Sequence, residues 1–491
     1  MGDSYENPIL FGNFPDPSIL RDGEHYYLVN GGTAWRSMLM WHSRDLVHWT
    51  PLYYVLEGYC GNVWAPELVK HGDTYYIYNY GPGDYGPGTN WVVTTKDIHS
   101  GPWSEPIPIE GLKGIDPGHV VGEDGRRYVF MSKNMVYPLT DDGLAVAGEG
   151  RKVCDDWPIP EDWDIEGVCT ESPKLFWRDG WCYLTVAQGG TFGPPTSHCV
   201  ISYRSQSIFG PWEASPYNPI SHTWSREEKW WSKGHATLVD TPAGDWYMIY
   251  HGILNGARHL GRMTLMEPLE WTMDGWFKVP DSVLTGEPIP LPVLPSHSTE
   301  RLLLSDTFDT GRLGLQWNAP TPGINQRLSF EKVGLLLKAQ GTSLHDSEPL
   351  LCLNQHDAQM VTTELTVEEG SGGGLTFYYS ANYSCGIALH DGSLKVFNMG
   401  KGWLQNKVNL VPYEDRRIFL QLRNDHGIVS PWYSSDGREW RKINLCFDIT
   451  GWHPNNINEG TGWVRPGIFA FGTGNVLFGQ FRYEQFECIG D

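Results

Sequence analysis

"DPSILRDGEHYYLV" (residues 16–29) is a short apolar run, a turn containing Asp-Gly, and then an aromatic-rich run. Apolar alternation on both sides of such a turn is a strong β-hairpin signal. The pattern returns as "WAPELVKHGDTYYIY" (64–78), "DPGHVVGEDGRRYVF" (116–130), "ESPKLFWRDGWCYLTV" (171–186) and "HATLVDTPAGDWYMIY" (235–250). One tyrosine in each aromatic run, Tyr27, Tyr76, Tyr128, Tyr183 and Tyr247, recurs at a spacing near fifty residues. Between hairpins a second echo appears, "SRDLVHWTP" (43–51), "TKDIHSGPWSEP" (95–106) and "SQSIFGPWEASP" (205–216), each a turn leading into a Trp-containing strand. A unit of about four strands repeating every 40 to 50 residues or so is the mark of propeller blades. Five units predict a five-bladed β-propeller.

Counting back from the tyrosines singles out one residue per blade. Twelve positions before Tyr76, Tyr128, Tyr183 and Tyr247 stand Trp64, Asp116, Glu171 and His235, and Asp16 stands eleven before Tyr27. Asp16 sits between two prolines, which favour extended backbone where the chain enters a strand. If each of these residues opens the innermost strand of its blade, all five converge at one end of the central channel. A single Asp before Pro reads as a turn or cap. Three acids at equivalent positions do not, because like charges crowded in a channel raise at least one pKa and are found mainly at catalytic or metal sites.

Composition narrows the chemistry. The chain has 491 residues, 40% hydrophobic, with 23 Trp, 24 Tyr, 18 Phe, 57 Gly and 34 Pro, a profile of short strands and turns over two or three domains. A net charge of −22 argues against nucleic acid as a partner. Neutral sugars suit abundant aromatic rings, although most of those rings are expected to pack the core. Nine scattered cysteines without a CxxC make metal, redox and disulfide frameworks weak readings. Neither a signal-like apolar core nor a run of about 18 apolar residues occurs, so no membrane partner is expected. A cytoplasmic location is the expectation, with secretion or a periplasmic location the alternative where a signal peptide has been removed.

Several carboxylates, aromatic walls and no nucleophile motif point to glycoside hydrolysis. One carboxylic acid protonates the leaving oxygen while a carboxylate activates water or attacks the anomeric carbon. A third acid nearby can keep the first one protonated. P-loop, GxGxxG after a strand, HExxH and GxSxG are all missing, and "GSGGG" (370–374) reads as a turn before the strand "LTFYY". His235 reads either as a core histidine or, on the axis, as the holder of a cation or water.

The stretches "NPILFGNFPDPSILRDGEHYYLV", "SRDLVHWTPL", "VWAPEL", "GIDPG", "TESPKL", "KGHATLVDTPAGDWYMIYHG" and "LGRMTLMEPLEW" span residues 7 to about 280. In that order they resemble glycoside hydrolase family 43, five-bladed propellers acting on arabinose- and xylose-containing polysaccharides with inversion. The resemblance implies Asp16 as general base, Glu171 as general acid and Asp116 as the residue that tunes and orients the acid. It implies Trp64 as a pocket wall, Arg262 as a substrate contact and His235 as the axial histidine, beside a calcium ion that some members bind through water. No organic cofactor is implied. The loop "GGTAWRSMLMW" departs from the xylosidases of the family, where it shapes the sugar pocket, and Trp35 stands either as the replacement wall or as packing. His119, in "GHVV", is also unusual and reads as packed or solvated.

"TGEPIPLPVLPSHSTERLLL" (285–304) is a Pro-rich linker by composition, so the propeller is expected over 1–284 and the linker over 285–302. Beyond it, residues 303–491 alternate apolar and polar in short runs, which predicts an antiparallel β-sandwich. Its opening "SDTFDTGRLGLQWN" resembles the concanavalin-like sandwich of two-domain family members, mostly exo-acting β-xylosidases and α-L-arabinofuranosidases. That module either closes the pocket against long chains or binds polysaccharide itself. The reading is an inverting exo-glycosidase that takes terminal pentose from plant cell-wall oligosaccharide or polysaccharide. The alternatives are an endo-arabinanase, a retaining invertase-type propeller, and a sugar-binding propeller without catalysis.

Overall fold

In the computed structural model, residues 4–32, 35–57, 63–83, 86–284, 288–295, 301–401, 403–404, 411–457, 459 and 462–485 are described. The chain divides into two compact units, one of residues 1–255 and 262–301, the other of 256–261 and 302–491. Of the expected linker, residues 285–287 and 296–300 lie outside the described set, as do Cys60, Cys488 and loop residues 33–34.

The first unit is a five-bladed β-propeller. Each hairpin of the repeat supplies the first two strands of an antiparallel blade, four-stranded except in the fourth, which has a fifth short strand; in the first blade these are Ser18–Asp22 and His25–Val29, followed by Ser37–Ser43 and Thr50–Leu56. The later blades begin with Glu67–His71, Gly118–Val121, Glu171–Arg178 and Trp230–Asp240. First strands of neighbouring blades touch one another around a closed ring, so they line the axis. Apolar clusters fill the spaces between blades: Tyr27, Met40, Ile77 and Trp91 between the first and second, Tyr78, Val92, Val129 and Tyr137 between the second and third. Phe130, Leu184 and Ile201 fill the next space, and Tyr183, Met248, Tyr250 and Phe277 the one after it. The aromatic residues of the repeat are therefore largely inter-blade core, as burial of such large apolar surface favours.

The ring is closed by its beginning. Ser4–Tyr5 pairs with Ile289–Pro290, Leu10 bridges Thr264, and the Phe14 N–H donates to the Arg262 carbonyl at 2.9 Å. Asn7 clasps Met266 from both sides, its amide donating to the Met266 carbonyl (2.9 Å) and its carbonyl accepting the Met266 N–H (2.8 Å).

The second unit holds two antiparallel sheets, as the alternating pattern predicts. One is built around Ser371–Ser380, Tyr383–His390, Ser393–Gly400 and Arg465–Gly472, the other around Ala358–Val367, Arg417–Asp425, Ile428–Ser434 and Asn475–Gln485. "GSGGG" differs from expectation: only Gly370 turns, with a φ of 74°, and Ser371–Gly374 are already strand. A Cβ on Gly374 would lie 1.8 Å from the Ile387 carbonyl oxygen, so this run lets two central strands meet closely.

Candidate active site

Strand register shows which residues are equivalent. Tyr27, Tyr76, Tyr128, Tyr183 and Tyr247 pair with Leu20, Val69, Val120, Phe176 and Val239. Four residues before those partners stand Asp16, Ala65, Asp116, Ser172 and His235. Asp16, Asp116, Ser172 and His235 share left-handed backbone, with φ of 52°, 57°, 55° and 59°. Trp64 and Glu171 thus precede the equivalent position by one residue. The count from the tyrosines missed this because the hairpin turns differ: Asp22 pairs with His25, but Val121 with Arg127 and Asp240 with Trp246.

The axial position nonetheless gathers the acids. Asp16 is buried and takes a bidentate ion pair from Arg262, with Nη1 to Oδ1 at 2.7 Å and Nη2 to Oδ2 at 3.1 Å. His235 Nδ1 lies 3.3 Å from the same Oδ1, and the Asp16 N–H donates to His251 Nδ1 at 3.2 Å. His251 Nε2 faces the Thr191 hydroxyl at 3.1 Å, and the ring stacks on His198 at 5.4 Å. Donor atoms of Asp116, Glu171 and His235 all lie within 4.8 Å of one another, and so do those of Asp16, His235 and His251. His235 is common to both groups, so its imidazole neighbours Asp16 and the Asp116–Glu171 pair alike.

This arrangement drives the acids apart. Burial would raise the Asp16 carboxyl, but Arg262, then His235 and His251, hold it well below the usual carboxylate range. Burial together with the negative charge of Asp16 pushes Asp116 up to about 7, against the pull of Lys174. Burial, Asp116 and Asp16 raise Glu171 well above its ordinary value. Burial keeps His235 and His251 neutral, lowering them to about 3 and about 4. One ionised carboxylate facing a protonated carboxylic acid is the pattern of a general base and a general acid.

Two positions further along each first strand lies a second ring, which the sequence reading missed. Glu67 and Lys174 form a buried ion pair there. Glu67 also accepts from the Ser18 hydroxyl (3.3 Å) and the His119 N–H (3.1 Å), and the Lys174 ammonium donates to the Pro66 carbonyl (2.9 Å). Gly118 occupies the third-blade position, where a Cβ would stand 1.8 Å from the Pro173 carbonyl oxygen. Full satisfaction of the pair is what makes such burial tolerable. Glu67 and Lys174 lie within the stretches "VWAPEL" and "TESPKL", yet only register shows that they face one another. His251, too, lay inside a quoted stretch without a spacing signal of its own.

Trp64 is partly exposed and meets Tyr80 edge-on at 5.2 Å. A Cβ on Gly31 would lie 2.8 Å from the Trp64 carbonyl oxygen and 3.0 Å from Asp16 Oδ2, which places Trp64 next to the ionised acid. Trp35 is only 5% exposed, with the Arg36 guanidinium over its ring at 5.9 Å. His119 is packed, stacked on Tyr78 and accepting from Arg127 Nε at 3.1 Å. Neither donor group at the axis is an oxygen cage of the kind calcium takes. The buried Nε2 of His235, however, has no partner among the described residues and suits a water held by a cation.

The family model for glycosyl hydrolases family 43 matches residues 5–277, and that for the β-xylosidase C-terminal concanavalin A-like domain matches 305–484. A non-reducing end α-L-arabinofuranosidase of Bacteroides ovatus is 32% identical over 70% of this chain and 66% of its own length. A xylan 1,3-β-xylosidase of a Vibrio species is 28% identical over 99% of both chains. Among solved structures, the GH43 protein BlXynB of Bacillus licheniformis superposes with a TM-score of 0.86 at 27% identity, covering 98% of this chain and 100% of its own. The opposed acids on the propeller axis and the matched models meet in one conclusion: the chain belongs to glycoside hydrolase family 43 and is a glycoside hydrolase.

Proposed function

We propose that this enzyme is an inverting exo-glycosidase that releases terminal α-L-arabinofuranose or β-D-xylose from plant cell-wall oligosaccharides. The observation that carries this reading is the opposite displacement of Asp16 and Glu171 around His235. Asp16, held ionised by Arg262, takes a proton from the attacking water. Glu171, held protonated, gives its proton to the leaving oxygen, and the sugar's anomeric carbon passes through an oxocarbenium-like state between them. Inversion needs room for that water, about 6.5 to 9.5 Å between the two carboxyls. Asp116 keeps the acid protonated between turnovers. Arg262 both fixes Asp16 and presents its remaining N–H groups toward sugar hydroxyls, and Trp64 walls the pocket. The names of the relatives, arabinofuranosidase and xylosidase, supply the pentose.

The calcium reading rests on His235, whose buried Nε2, without a partner among the described residues, would hold the ion through a water. A bound ion would supply positive charge at the axis, and proton transfer would stay with Asp16 and Glu171.

The test is a screen of 4-nitrophenyl pentosides and hexosides with NMR of the released anomer. Turnover of a pentoside with inversion supports the reading; retention of configuration, or a ladder of longer oligomers from debranched arabinan in place of free monosaccharide, overturns it. Glu171→Gln serves as the control on oligosaccharides, whose sugar leaving groups need the proton, since loss of a general acid costs about 10²- to 10⁴-fold there.

A further inference from the structure

The fourth blade carries a feature that the catalytic centre does not use. Its first strand begins at the catalytic end with Glu171, the second returns to that end at Gln188, and Ser221–His222 pairs there with Cys199–Val200. The loops at this end enclose a cavity of about 340 Å³ whose walls include Asp162, Trp163, Asp164, His222, Trp224 and Arg226.

Its floor is an aromatic stack. Trp163 lies on His222 with ring centroids 3.9 Å apart and planes within 9°, and Trp224 meets both edge-on at 5.6 and 4.7 Å. Trp224 is nevertheless 65% exposed, a costly disposition for so large a ring. His222 is 4% exposed; its Nε2 donates to the Thr196 carbonyl at 2.7 Å, which leaves Nδ1 as a buried acceptor without a partner among the described residues. Two carboxylates and a guanidinium at the rim supply paired acceptors and donors for vicinal hydroxyls. An apolar ring face and polar rim groups together fit a neutral sugar ring.

A wall of the cavity, residues 194–196, belongs to a loop that reaches the catalytic centre. The Glu166 N–H donates to the Ser197 hydroxyl (2.8 Å) and its carboxylate accepts the Phe192 N–H (2.9 Å), tying the two walls together. The Phe192 ring lies 5.1 Å from the Arg262 guanidinium, and Thr191 faces His251, so one loop runs from the cavity to the surroundings of Asp16.

We propose that this cavity binds the leaving-group side of the substrate, the pentose residues beyond the scissile bond. This rests on the exo-glycosidase reading and extends it to chain-length preference. The test measures kcat/KM of wild type, Trp224→Ala and Trp224→Phe. Substrates are 4-nitrophenyl β-D-xyloside and α-L-arabinofuranoside, which carry no leaving-group sugar, and β-1,4-xylo- and α-1,5-arabino-oligosaccharides of two to four residues. In the series the wild type cleaves, Trp224→Ala lowers the ratio of trisaccharide to nitrophenyl kcat/KM by about five- to tenfold, and Trp224→Phe restores most of it. An unchanged ratio in a wild type that does release terminal pentose overturns the cavity's role alone. A wild type inactive on both substrate kinds overturns the exo-glycosidase reading and this proposal with it.

Discussion

At Asp116 one carboxyl group joins mechanism to stability. Its folded-state value of about 7 stands above the ordinary 3.8, so the fold favours its protonated form. The stability it lends is complete below about pH 4 and is lost as pH rises through 7. An amide does not titrate, so the melting temperature of Asp116→Asn relative to wild type rises by about 1 to 3 °C between pH 5 and pH 8, read by thermal scans at both. The same charge holds the proton on Glu171. Asp116→Asn therefore moves the alkaline limb of kcat/KM to lower pH by about one unit, and a limb that stays in place refutes the tuning role. At this scale the sequence was informative about the acids, because Asp-Pro within a repeat is visible as text. His251, Glu67 and Lys174 were not, since they act only through neighbours hundreds of residues away or in another blade.

Among the strands, the hairpins were legible from alternation and turn residues, and the ring followed from their repetition. What the text hid was a shift of one residue. Two-residue turns at Gly23–Glu24 and Gly72–Asp73 and five-residue turns at 122–126 and 241–245 give different counts for the same place on the axis. Glu171 consequently reaches the centre from the residue before left-handed Ser172, with a side chain one methylene longer than those of Asp16 and Asp116. Close approach of adjacent blades at this level depends on Gly118. Gly118→Ala sets a methyl against the Pro173 carbonyl and costs about 1 to 3 kcal/mol, measured by denaturant unfolding, together with lowered kcat because both flanking strands carry acids of the site. Gly31→Ala presses on Asp16 Oδ2 and the Trp64 backbone carbonyl; its expected signature is a loss of kcat/KM accompanied by a lowered melting temperature.

For the whole molecule, ring closure is the decisive event, and the clasp at Asn7 is its most economical element. Asn7→Ala leaves the N–H of the fully buried Met266 without its partner, while the Met266 carbonyl keeps the Tyr5 hydroxyl at 3.0 Å; the loss is about 1 to 3 kcal/mol in unfolding free energy. The two-unit organisation was foreshadowed by the change from repeat to plain alternation, whereas Gly256–Gly261, grouped with the second unit, gave no compositional sign. Asp16 and Arg262, 246 residues apart, meet at the closing seam. Synthesis runs from one to the other, so a ribosome must deliver the last blade before the first acid acquires its counter-ion. Until then Asp16 lacks the cation that holds it ionised, and hydrolytic competence arrives only with the final strand.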